Sequence, residues 1–193
     1  MLAELRATPE GLFALTTDYL GIGDRAGAQD AVRDWLAIGG IPEDLAIKYG
    51  LLLANKDAVL EGIDVLEHAK QSAPTSFPVA FNLAEVYARN NNLALALQNY
   101  DLALRIDPSS IDAMTQAAIT AEKKADLEHS LSYWMRAKKL EPESPEVLLG
   151  FGRVCLKMDL LEDAETSLTK AASFKPQDPS YQYLLASVKV GKK

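Results

Sequence analysis

Four prolines that close helix-like runs, Pro74, Pro108, Pro142 and Pro176, stand 34 residues apart. A chain punctuated at one interval uses one structural unit again and again, and that unit must fit within the interval. Proline lacks a backbone N–H and disfavours α geometry in the residue before it, so each of these positions stops a helix. Three residues further on a new block opens, at Phe77, Ile111, Pro145 and Pro179; the same step taken backwards gives Glu43 and Pro9. Between blocks, Ser109 and Ser110 offer side-chain oxygens to cap the helix that follows Pro108.

Other residues keep the register. Ala69, Ala103, Ala137 and Ala171 form one small-residue ladder; Gly50, Ala84, Ala118, Gly152 and Ala186 form a second; Leu66, Tyr100, Trp134 and Leu168 form a ladder of large apolar residues. Small residues let helix axes approach, and large ones at helical spacing fill the space beside them. Within 77–110 the pattern predicts a helix over "FPVAFNLAEVYARN", a turn at "NNL" where asparagine tolerates left-handed backbone, and a helix over "ALALQNYDLALRI". Neither helix can bury its stripe alone, so neighbouring blocks must share a core. The fold class expected is all-α, a solenoid of antiparallel helix pairs without a sheet. Its expected divisions are an extension at 1–8, blocks at 9–42, 43–76, 77–110, 111–144 and 145–178, and a helix with a basic tail at 179–193, all in one continuous domain.

These blocks resemble the tetratricopeptide repeat, whose period is 34 and whose pattern is W-x2-L-G-x2-Y, A-x3-F, P. The best match reads Ala80, Leu83-Ala84, Tyr87, then Ala96, Tyr100 and Pro108. The two that follow read Met114, Ala117-Ala118, Ala121, Ser130, Trp134, Pro142 and Leu148, Phe151-Gly152, Cys155, Ala164, Leu168, Pro176. Block 43–76 is looser, with Gly62 where alanine is usual. Block 9–42 departs most, since Trp35 takes a small-residue place and Gly40 replaces the closing proline, and it reads as a degenerate repeat. Residues 179–193 match a first helix alone, as a terminal solvating cap would.

The resemblance implies that the solenoid is a right-handed superhelix and that first helices line its concave groove. The groove places then hold Lys48, Phe81, Asn82, Glu85, Arg89, Gln116, Lys123, Arg153, Lys157 and Tyr183. Asn82 and Gln116 stand where the family often hydrogen-bonds a peptide main chain, and Arg89, Lys123 and Lys157, joined by Arg153, make a basic ladder. The implied function is a non-catalytic interaction scaffold or adaptor whose partner is a protein or peptide of acidic character. The family's carboxylate clamp does not fit: Ile47, Leu51, Asp112 and Thr115 occupy its other places. Two alternatives are a module that self-associates through its terminal repeats, with Trp35 as the place to look, and the regulatory segment of a larger, enzymatic protein.

Chemistry-bearing constellations are otherwise missing from the sequence. His68 and His129 are too far apart for a zinc spacing, Cys155 falls at an apolar core place, and "GIGDRAG" (21–27) follows a helix and lacks the Lys-Ser/Thr of a phosphate loop. No catalytic residue, metal or cofactor is therefore expected. A net charge of −7 argues against nucleic acid, as does a period of 34 against the 35 of RNA-reading pentatricopeptide repeats. A lone cysteine excludes an internal disulfide, and no apolar run is long enough to span a membrane. The opening "MLAELRATPE" lacks the order of a signal peptide, which leaves the compartment unassigned and cytoplasmic by default.

Overall fold

A computed structural model describes residues 5–56, 58–174, 176 and 179–191. Residues 1–4 of the expected extension, and Lys192 and Lys193 of the expected basic tail, lie outside them. Among the described residues there are eleven helices and no strand: α1 Pro9–Gly21, α2 Arg25–Leu36, α3 Glu43–Asn55, α4 Val59–Ser72, α5 Phe77–Arg89, α6 Leu93–Ile106, α7 Ile111–Lys123, α8 Leu127–Leu140, α9 Pro145–Lys157, α10 Leu161–Phe174 and α11 Pro179–Gly191. The chain divides into two compact units, residues 1–92 and 93–193. The boundary falls at the turn between α5 and α6, inside block 77–110.

Local chemistry sets the helix ends. Ser76, Ser110 and Ser144, each 34 residues from the last, accept a hydrogen bond from the backbone N–H three residues on, at 3.2, 3.2 and 3.4 Å. Each satisfies one of the N–H groups that a helix start leaves unpaired. Of the two serines after Pro108, then, Ser110 is the cap. Ser109 instead donates through its backbone N–H and hydroxyl to Asp107, holding that carboxyl below its usual range. The turns within helix pairs repeat as well. Asn91, Ala125 and Asp159 have φ of 58, 63 and 60°, and the residue after each donates to a carbonyl five back at 2.9 Å. This closes the preceding helix with a left-handed residue. "GIGDRAG" is the same device: Gly23 has φ 79° and Asp24 caps α2.

In unit 1, α1 packs on α2 and α3 on α4, while α4 also meets α2 and α5. Its core gathers Leu12, Leu15, Val32, Trp35, Tyr49, Leu53 and Val65. Trp35 is fully buried, 4.9 Å from the Tyr49 ring and 6.4 Å from the His68 ring, with no partner for its Nε1 among the described residues. The expectation that Trp35 offers a surface for self-association is therefore corrected. A large ring in a small-residue place is accommodated inward, by the aromatic cluster, rather than left outside.

Unit 2 runs α6 to α11, each helix packing on the next, with α9 also meeting α7 and α11. Short turns make successive helices antiparallel, so α7 and α9 run parallel on one side. The ladders interlock in a way that relates their members. A Cβ on Gly152 would lie 2.6 Å from Leu168 Cγ, and one on Gly50 in unit 1 would lie 2.6 Å from Leu66 Cγ. Leucine branches at Cγ, directly over the facing helix, and demands glycine there. Where the large residue of unit 2 is the flat ring of Trp134, the small-residue place sixteen residues earlier is Ala118 instead. Gly62 has a different reason: its Cβ would meet Gly50 O at 2.6 Å and Ala54 N at 3.0 Å, so α3 and α4 approach backbone to backbone.

The last helix buries Tyr181 and Val188 but exposes Gln182, Ala186 and Lys189. The corresponding places on α9 (Leu148, Gly152 and Cys155) are buried. That face of α11 carries polar or small residues and meets water.

Candidate functional site

The candidate groove residues fall in both units. In unit 1, Lys48 is exposed with its Nζ 5.8 Å from the Phe13 ring, and Phe81 stacks on Phe77 with centroids 5.7 Å apart. Glu85 is half-buried on α5. The other two are engaged within the unit. Asn82 Nδ2 donates to Pro78 O at 2.7 Å, so its amide bonds its own helix. Arg89 Nη1 donates to Asn55 Oδ1 at 2.7 Å, linking the same place on successive first helices.

In unit 2 the structure adds a residue that the sequence reading passed over. Glu122, with a side chain 6% exposed, accepts from Arg153 Nε at 3.2 Å and Nη2 at 2.8 Å, from Lys157 Nζ at 2.9 Å and from Trp134 Nε1 at 3.3 Å. Burial alone would push this carboxyl up, but the bonds from Arg153 and Lys157 outweigh it and hold it below the usual glutamate range. Of the expected basic ladder in this unit, Arg153 and Lys157 share one carboxylate, and Lys123 projects from α7 without a partner among the described residues. A signal was available. Glu122 takes a place that is Ala54, Ala88 and Leu156 in the other blocks, so an acid stands where apolar residues are the rule.

Two open clefts lie along the first helices of this unit. One, of about 430 Å³, is lined by Ile111, Thr115, Ile119, Trp134, Leu149, Gly150 and Arg153, with Asp112, Glu141 and Glu146 at one end. The other, of about 550 Å³, is lined by Leu149, Arg153, Pro179, Ser180, Tyr183 and Leu184. Leu149 and Arg153 border both, and Tyr183, 73% exposed, stands over the second. Gln116, half-buried on α7, is not among the lining residues of either.

Cys155 is fully buried, and burial pushes its thiol up to about 11. Burial and a 2.6 Å bond to Asp101 raise the Tyr133 hydroxyl. His129 is exposed and meets Asp126 at 2.8 Å. Among the described residues no three acidic, histidine or cysteine side chains are grouped to hold a metal ion. No helix among them is long and apolar enough to cross a membrane.

Two family models, both described as tetratricopeptide repeat, match residues 77–110 and 136–188. Over those stretches the chain carries tetratricopeptide repeats. A stretch of 90 residues, 46% of the chain, is 34% identical to the general transcriptional corepressor trfA of Dictyostelium discoideum. It spans about 6% of that protein's length. Among solved structures, YrrB, described as a TPR protein with an unusual peptide-binding site, superposes with a TM-score of 0.70 at 16% identity over 78% of each chain. A tetratricopeptide repeat protein from Parabacteroides merdae gives 0.71 at 14% over 95% of this chain and 73% of its own. MamA gives 0.67 at 14% over 84% of this chain and 95% of its own. At these identities the structures speak to fold alone, and they agree with the helices described: the class is an all-α, tetratricopeptide-like solenoid. Repeats of this kind serve as protein–protein interaction scaffolds.

Proposed function

We propose that the chain is a non-catalytic scaffold that holds a peptide segment of a partner protein along the first helices of unit 2. The observation that carries this reading is the pair of open clefts that share Leu149 and Arg153. Together they offer a channel of mixed apolar and charged character beside parallel helices, as an extended segment requires. YrrB, by its description a peptide-binding member of the same fold, supports the reading. In this reading the blocks at 9–42, 43–76, 77–110, 111–144 and 145–178 are the repeats and 179–191 the cap. The partner's acidic character is narrowed by Glu122. Arg153, Lys157 and Lys123 against Glu122 leave a net +2 at the C-terminal ends of α7 and α9, while Asp112, Glu141 and Glu146 contribute −3 at the N-terminal ends. A second reading, the interaction segment of a larger regulator, is favoured by the match to part of a corepressor.

Photo-crosslinking tests the first reading. With the photoreactive residue at Thr115 or Leu149, a partner protein should be captured from the native cell extract. The same residue at exposed Met135, outside both clefts, should not capture it. Capture from Met135 alone would place the partner elsewhere and end the groove reading.

A further inference from the structure

Gly150 occupies the place that Lys48, Asn82 and Gln116 occupy on earlier first helices. A Cβ there would lie 2.3 Å from Trp134 Cη2 and Cζ2, so any other residue would displace the ring. The indole of α8 therefore reaches between α7 and α9, and its edge floors the 430 Å³ cleft beside Thr115, Ile119 and Leu149. This ring is only 3% exposed and its Nε1 is tied back to Glu122, so what it offers the cleft is apolar. The same carboxylate grips one edge of Arg153, through Nε and Nη2. A guanidinium paired along that edge keeps Nη1 and the second Nη2 hydrogen for another carboxylate. The Arg153 side chain remains 35% exposed and borders the cleft.

We propose that this cleft is a dipolar slot. It takes a peptide with an apolar side chain over Gly150 and Trp134, a carboxylate toward Arg153, and a lysine or arginine toward Asp112 and Glu146. The inference rests on the groove reading and adds to it the chemistry of the occupant. Glu146 and Arg153 are seven residues apart on α9, a rise of about 10 Å; in an extended chain every second side chain shares a face, so same-face residues four apart stand about 13 Å apart, a span that long charged side chains leaning inward close. The matching pattern is thus base, one spacer, apolar residue, one spacer, acid, with the chain running in either direction. Glu122 acts here as a positioning residue: it fixes the fork and cancels one of the charges beside it.

The test uses the full chain with Trp35→Phe, which leaves Trp134 as the sole tryptophan. Four end-blocked synthetic pentapeptides serve as probes: Lys-Ser-Leu-Ser-Glu, the all-acidic Glu-Ser-Leu-Ser-Glu, the all-basic Lys-Ser-Leu-Ser-Lys, and Lys-Ser-Ser-Ser-Glu. The mixed-charge leucine peptide should perturb Trp134 fluorescence at about fivefold lower concentration than either single-sign peptide, the scale of one exposed ion pair lost. Replacing leucine by serine should abolish the response. In the Asp112→Lys, Glu146→Lys variant, changed only at exposed first-turn positions, preference should pass to the all-acidic peptide. Equal responses to all charged leucine peptides, unchanged in the variant, would overturn the dipolar slot and leave the groove reading standing. No Trp134 response to these probes or to a random peptide pool, with crosslinking from Met135 only, would overturn both.

Discussion

Replacing Glu122 with glutamine removes one charge from within unit 2 while keeping the side chain's shape, and the structure sets the cost. Arg153 makes two bonds to the carboxylate and Lys157 a third, with these side chains 35% and 48% exposed against 6% for the acid. Hydrogen bonds to charged groups contribute about 1.5–3 kcal/mol and exposed pairs about 0.2–1 kcal/mol. Glutamine retains one acceptor for arginine but turns an N–H₂ toward the other donors. The expected loss is about 2 kcal/mol near neutral pH, or about 4–8 °C in Tm for a chain of this length. Acid should erase it. The folded carboxyl titrates below its usual range, so its contribution is complete above the ordinary glutamate value of about 4.3 and vanishes as pH falls through the lowered folded value. Glutamine does not titrate, so the two proteins should converge in acid. Urea unfolding followed by Trp134 fluorescence in the Trp35→Phe background, at pH 7 and down through the acid range, measures the difference. A loss under about 0.5 kcal/mol at pH 7 would refute the account, as would a gap that persists undiminished in acid.

Two further outcomes test the packing. Gly62→Ala should destabilise unit 1 by about 1–3 kcal/mol in urea unfolding, since its Cβ would press on the backbone of α3 rather than on a side chain that could turn aside. Alanine is the usual residue at this place in the family pattern, so a neutral substitution would show that the close approach of α3 and α4 is wrong. Cys155, buried and with its thiol near 11, should resist a thiol-specific disulfide reagent at pH 8 in the folded protein and react at once in denaturant. Rapid reaction of the folded chain would contradict the burial of α9.

The period of 34 settled which residues form helices, because the signals involved are local. Proline ends a helix without reference to anything distant, serine caps the N–H groups three residues on, and Gly23, Asn91 and Asp159 turn the chain by their own tolerance of positive φ. Even Ala125, which has no such tolerance, is placed at φ 63° by the interval. The periodic apolar stripe likewise marks Ala103, Leu83 and Leu168 as core, since a helix has one buried face and the spacing names it. Charge was different. Arg153 and Lys157 read as groove cations because the sequence reports type and face, whereas their partner Glu122 lies on another helix, 31 and 35 residues away. Asn82 and Arg89 looked ready for a ligand for the same reason, and both bond within unit 1. Trp35 had an unusual place but no stated direction. Only the positions of Tyr49 and His68 turned it inward. Helix formation depends on neighbours along the chain and so can be read from it. Pairing of charges, closeness of axes and the floor of a cleft depend on side chains that different helices bring to one point, and these the tertiary structure alone decided.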